Sequence, residues 1–227
     1  MNPDLYLRTT TCPLCSNEFK TVKVKHDGIR LLRRDSDLCE YYKKENPYFY
    51  EINVCPKCGF SFSDTFKDGL TDKQKEKFIK TISLHWKKTD YCGERTIEEA
   101  IEAFKLALLS GQTIGIKNST LAGLCLRISW LYRLLHNKEE EERFMKSSIK
   151  AYEKAYELED TNRGGDISPE IMLYLLGELN FRIGNISDSS KWFSYAIAKC
   201  NSDSLINPQI DKMIRDRWIE IKDEIKE

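Results

Sequence analysis

The chain has 227 residues, enough for one or two domains, and its 36 Lys and Arg balance 36 Asp and Glu, so no global charge calls for a polyanionic partner. Charged residues make up 32 % of it, and the longest apolar run, Leu121 to Leu135, is cut by Arg127 and Arg133, which excludes a bilayer-spanning stretch of roughly 20 residues. The opening residues Met1-Asn2-Pro3-Asp4-Leu5-Tyr6-Leu7-Arg8 lack the basic and then apolar pattern of a secretory leader, so a cytoplasmic setting with reduced cysteines is expected.

The first part of the chain reads as short strands and turns. β-Branched and aromatic residues alternate in Phe19 to Val24 and in Phe49 to Val54, and the turn signals His26-Asp27-Gly28 and Glu45-Asn46-Pro47 separate those runs. Lys67-Asp68-Gly69 closes the region.

Two motifs in this part carry chemistry: Cys12-Pro13-Leu14-Cys15 and Cys55-Pro56-Lys57-Cys58-Gly59. A CxxC turn aims two thiolates at one point, and two such turns make a tetrahedral four-thiolate cage, so Cys12, Cys15, Cys55 and Cys58 are the expected ligands of one structural zinc ion. Iron fits the same four thiolates. A redox CxxC sits at a helix N-terminus after a strand, whereas both knuckles here lie among strands and turns. Four protein ligands leave no position for a catalytic water, so the ion is expected to stabilise folding and to perform no chemistry. The 39 residues between Cys15 and Cys55 exceed what a minimal ribbon needs and contain Cys39; Cys92, Cys125 and Cys200 are likewise isolated.

From Thr71 the hydrophobic period becomes helical. Thr71-Asp72-Lys73-Gln74 and Thr96-Ile97-Glu98-Glu99 are capping boxes, and the second opens a helix with a stripe through Ala100, Phe104, Ala107 and Leu108 that Gly111 is expected to end. Further helices are expected from about Ser119 to His136, Lys138 to Leu158, Pro169 to Ile183, Ser187 to Cys200, and from Pro208 onward, with proline preorganised at the first helical position. Gly177, Gly184, Ser189, Phe193 and Ala196 follow the tetratricopeptide spacing, in which small residues let two helices approach while the aromatic ring fills the gap. Ile128, Ser129, Tyr132, Met145 and Ser148 suggest a second, degenerate pair. The last helix, with Ile210, Met213, Ile214, Trp218, Ile221 and Ile225 on one face, suits a cap. The expected fold class is therefore α+β: a small N-terminal β zinc-ribbon module over residues 1–66, then an all-α, tetratricopeptide-like helical domain over residues 71–227.

The insertion between the knuckles reads Arg33-Arg34-Asp35-Ser36-Asp37-Leu38-Cys39. Together with the first CPxC knuckle, Asn46-Pro47 before Tyr48 to Tyr50, and Val54-Cys55-Pro56-Lys57-Cys58-Gly59-Phe60, it resembles the uncharacterised bacterial family called domain of unknown function 2225, over nearly the whole chain. The resemblance implies a bacterial cytosolic protein with a metal ribbon and tetratricopeptide-like helices, and implies no activity. Ser16 follows the first knuckle where Gly59 follows the second.

Three functional readings follow. The first is a non-enzymatic, metal-stabilised adaptor that binds a protein or peptide partner through its helices. The second is a nucleic-acid-binding protein using Lys20, Lys23, Lys25, Arg30, Arg33 and Arg34 beside Tyr41, Tyr42, Tyr48 and Phe49, although acidic residues nearly cancel that charge. The third is a thiol-dependent enzyme or redox sensor at Cys39 with Asp35 and Asp37; against it, the two aspartates are expected to pair with Arg33 or Arg34 in a solvated turn while Cys39 packs as a small hydrophobe. No catalytic centre is expected: His26, His85 and His136 stand alone, and the HExxH, GxGxxG, GxSxG and phosphate-loop patterns are absent. Neither a membrane nor a cofactor other than the metal is expected.

Overall fold

Two hairpins carry the two knuckles. The computed structural model describes residues 2–64, 69–159, 167–203 and 206–226. Residue 66, where the first module was expected to end, and Lys67 and Asp68 of the closing turn lie outside them. Strand β1 (Leu5–Thr11) pairs antiparallel with β2 (Glu18–Val24), running from Leu5 opposite Val24 to Thr11 opposite Glu18. Strands β3 (Leu31–Arg34) and β4 (Glu40–Tyr42) form a second hairpin, and β5 (Asn53–Val54) with β6 (Ser61–Phe62) a third.

The aromatic alternation of Phe49 to Val54 does not make one strand. Pro47 opens a 3-10 turn, Pro47–Tyr50, whose Tyr48 amide is capped by the Asn46 side chain, and only Asn53 and Val54 remain extended. Tyr48 and Tyr50 are buried from that turn. The fixed φ of Pro47 and the cap outweigh a short period-two pattern.

Seven α-helices follow among the described residues: α1 (Asp72–Thr81), α2 (Ile97–Ile114), α3 (Asn118–Leu134), α4 (Lys138–Leu158), α5 (Pro169–Arg182), α6 (Ile186–Ser202) and α7 (Pro208–Lys226). Both capping boxes form, with Thr71 accepting from Gln74 and Thr96 from Glu99 and the reciprocal bonds present. Helix α2 does not stop at Gly111. It runs on to Ile114, and Gly115 at φ 73° is the left-handed cap. Gly111 serves packing instead, because a Cβ there would lie 2.5 Å from Ile116 Cδ1.

The short connections Leu135–Asn137 and Ile183–Asn185 fold α4 back on α3 and α6 back on α5. In the second pair a Cβ on Gly177 would stand 2.6 Å from the Phe193 ring, so glycine is what lets the two helices close on that ring. In the first, Ser148 Oγ donates to the Ala122 carbonyl at 2.9 Å in the buried seam. Trp218 of α7 stacks on Phe193 with centroids 5.4 Å apart, covering the end of the array.

One buried cluster runs from Cys12, Phe19, Val54 and Phe60 of the ribbon through Phe78 and Phe104 to Leu131, Leu176, Phe193 and Ile221 of the helices. The ribbon and the helices are thus two parts of a single core.

Candidate metal centre

The two knuckles repeat the same backbone. The Cys12 amide donates to the Asn17 carbonyl and the Ser16 amide to the Cys12 carbonyl, both at 2.9 Å; the Cys55 amide donates to Phe60 and the Gly59 amide to Cys55, also at 2.9 Å. Ser16 and Gly59 occupy the same left-handed position, at φ 56° and 75°. Serine bears the Cβ penalty there; Gly59 has a second reason to be glycine, since a Cβ would fall 2.5 Å from Trp86 Cδ2.

Bringing the hairpin ends together puts all four Sγ atoms within 4.8 Å of one another. Across the knuckles, Cys12 and Cys58 are 3.7 Å apart, as are Cys15 and Cys55. Metal–sulfur bonds of about 2.3 Å in a tetrahedron require sulfur–sulfur edges of about 3.8 Å, whereas a disulfide needs about 2.05 Å. The spacing fits a shared ion and not a covalent pair. Three of the four cysteines are buried and Cys15 is half-buried.

The protonation of the bare cluster points the same way. Hydrogen bonding to the Cys55 sulfur, with burial, pushes the Cys12 thiol up to about 12, and bonds to Cys12 and Cys55 push Cys58 higher still. Bonds from Cys12 and Cys58 hold Cys55 far below the ordinary thiol value, so unaided the cluster favours one thiolate among thiols. Four thiolates cannot share so small a volume without a compensating cation; a divalent ion supplies it. The residues present therefore fit a metal ion.

The segment after α1 straps this centre to the helices. Ser83 Oγ donates to the Cys58 carbonyl at 2.9 Å and Trp86 Nε1 to the Pro56 carbonyl at 3.2 Å, while the Val22 amide donates to the Cys92 carbonyl at 2.9 Å. Cys92 stays outside the cluster with its thiol raised to about 12 by burial and by Asp90. Cys125, raised to about 12 by burial, and Cys200, raised to about 11 by burial and Asp211, are likewise apart.

The Asp35–Cys39 segment differs from the solvated turn that was expected. Asp35 does bond Arg33, but Asp37 is fully buried and pairs with neither Arg33 nor Arg34. Its carboxylate accepts from both Arg133 Nη atoms, at 3.0 and 2.5 Å, and from Trp130 Nε1 at 3.0 Å, with Arg182 at 3.6 Å. Burial alone would raise the Asp37 pKa; Arg133, Arg182 and the indole outweigh it and hold the carboxyl below its ordinary value. Ser36 bonds Glu178 and Arg182, and Tyr174 donates to the Ser36 carbonyl at 2.6 Å. Glu178 in turn pairs with Arg182 at 2.9 Å and Arg217 at 2.7 Å. The hairpin tip is thereby clamped against α3 and α5, and Arg217 of α7 holds the Glu178 end of that network. The available signal was Arg127 and Arg133 inside an otherwise apolar helix, since buried cations need partners.

Cys39 is fully buried and its thiol is pushed up to about 12, mainly by burial, which disfavours the thiolate a nucleophile needs. Of the basic stretch, Lys23 is held by the carbonyls of Tyr50 and Glu51, Lys25 by that of Pro3, Arg33 by Asp35 and Arg34 by Glu40. Lys20 and Arg30 are exposed, and so are His26, His85 and His136. No helix among the described residues is long and apolar enough to cross a membrane.

Comparison with known proteins adds one family and one relative. The family whose model matches residues 5–221 is described as "Uncharacterized protein conserved in bacteria (DUF2225)". A protein of Borreliella burgdorferi, described as an uncharacterized protein, is 28 % identical over 214 residues, covering 77 % of this chain and 76 % of its own. No solved structure matches.

Proposed function

Because the chain belongs to the bacterial DUF2225 family, whose description assigns no activity, we propose its function from geometry: a zinc-stabilised, non-enzymatic adaptor whose tetratricopeptide-like helices bind a protein or peptide partner. The observation that carries the metal half is the closed four-sulfur cluster within 4.8 Å, with both knuckles in one conformation. Four thiolates fill a tetrahedral ion, so its contribution is to folding, on the order of 10–16 kcal/mol of binding free energy at such sites. Closed four-cysteine sites favour zinc, and the reduced thiols they need support a cytoplasmic setting. Elemental analysis tests this: about one zinc per chain is expected, and a Cys55→Ser variant that retained the same metal content would sink the cage. A visible iron–thiolate absorption would replace zinc by iron.

The adaptor half rests on aromatic surface. Tyr156 and Tyr195 are 43 % and 42 % exposed and flank the Trp192 ring edge-on at 5.4 and 5.7 Å, a composition typical of protein contact sites. Cys12, Phe19, Val54 and Phe60 of the ribbon share the helical core, so point variants suit the test better than deletion. Co-purification of the full chain with a Tyr156→Ser/Tyr195→Ser variant should lose a partner that the unaltered chain retains; an identical set of captured proteins would refute this surface.

A further inference from the structure

We propose that the cavity between the ribbon and helices α3, α4 and α5 is a binding site for a small molecule bearing a carboxylate on an apolar body. The cavity has a volume of about 420 Å³, within the roughly 300–1,000 Å³ of ordinary ligand sites. One stripe of α3 forms its wall through Gly123, Arg127 and Trp130, residues at helical spacings of four and three. Tyr152 from α4 and Leu175 from α5 face it, and Tyr48 closes it from the ribbon.

Arg127 is the recognition group. Its guanidinium lies 4.5 Å from the Trp130 ring centroid and 5.1 Å from that of Tyr48, and its Nε stands 3.3 Å from Glu51 Oε2. Neither Nη atom has a protein partner among the described residues, and neither does the Tyr152 hydroxyl. The Nη edge matches the two oxygens of a carboxylate, and the phenol adds a donor. Arg34 and Glu40, also on the wall, neutralise each other. Glu51 remains as a counter-charge beside Arg127 and would accept the ammonium group of an amino acid.

Gly123 is the independent observation. It lies inside α3, where glycine costs about 0.5–1 kcal/mol relative to alanine, and a Cβ built on it meets nothing within 4 Å. No neighbouring atom claims the space beside Gly123, so the α3 wall of the cavity is open at that position.

Calorimetric titration of the full chain with 3-phenylpropionate, octanoate and phenylalanine, and with 3-phenylpropanol as the neutral analogue, tests the site. At least one carboxylate is expected to bind, with the alcohol at least tenfold weaker; phenylalanine binding more tightly than 3-phenylpropionate assigns the ammonium to Glu51. Gly123→Leu fills the cavity without backbone strain, so it should keep or raise the melting temperature and lower affinity at least tenfold. Tyr152→Phe should weaken binding about tenfold, as loss of a hydrogen bond to a charged group does. Absence of binding by all three carboxylates at millimolar concentration, or Gly123→Leu binding as tightly as the unaltered chain, overturns the proposal. Either result leaves the metal reading untouched.

Discussion

Asp37→Asn removes one charge from the clamp while keeping its shape. The aspartate has no exposed surface and accepts four N–H groups, two from Arg133, one from Trp130 and one from the Cys39 backbone. Asparagine places an N–H₂ donor where at least one of those donors now points. Removing one member of a buried pair costs about 3–5 kcal/mol. Arg133 is 14 % exposed and keeps Asp35 at 3.0 Å and Glu141 at 2.7 Å, which sets the expected loss near the lower end. A loss of about 3 kcal/mol lowers the melting temperature of a chain this long by roughly 6–12 °C, at about 2–4 °C per kcal/mol. Urea unfolding followed by circular dichroism would show it as a lowered midpoint with unchanged slope. Arg33→Ala is the contrast: its side chain is 59 % exposed, and its loss should cost under about 0.5 kcal/mol. An Asp37→Asn variant within about 1 kcal/mol of the parent, or an equal cost at Arg33, would refute the clamp.

The pH dependence follows from the same group. Asp37 has a depressed pKa in the folded chain, so its contribution is complete above the ordinary carboxyl value and is lost as pH falls through the folded value. The stability gap between parent and Asp37→Asn should therefore hold from pH 7 to about 4 and shrink below it; a gap that widens in acid contradicts the sign. At the knuckles, Gly59→Ala should cost about 1–2 kcal/mol from its left-handed φ of 75° plus the Trp86 clash, whereas Ser16→Gly should be neutral or stabilising by up to about 1 kcal/mol; equal effects in thermal melts would show that Trp86 does not constrain the site. Gly177→Ala should cost about 1–3 kcal/mol by forcing α5 from the Phe193 ring, and a variant as stable as the parent would deny the close approach.

Local chemistry was legible in the sequence. The knuckles depend on residues within one turn, so spacing alone brought Cys12, Cys15, Cys55 and Cys58 to one cluster. The capping boxes and the prolines at the starts of α5 and α7 fix helix beginnings through neighbouring side chains, and α4 runs from Lys138 to Leu158 as its periodicity predicts. The Gly177–Phe193 approach was readable because small and aromatic residues stand at fixed spacing. What failed were places where distant partners decide. Gly111 was misread as a stop because Ile116, which packs on it, lies beyond the helix. Asp37 looked like a turn residue because its partners Trp130 and Arg133 lie 93 and 96 residues away.

That separation bears on how the protein is made. The ribbon emerges first from the ribosome, but Ser36 meets Tyr174, 138 residues later in the chain. At about 5–20 residues per second, that stretch takes roughly 7–28 s to synthesise. Its partners are made in order, Trp130 and Arg133 of α3 before Tyr174 and Arg182 of α5, so the Asp35–Cys39 tip cannot complete its docking until that stretch has been synthesised. The four cysteines that could hold an ion all lie within residues 12–58, so metal capture at the two knuckles does not require that the docking partners in α3 and α5 have been made.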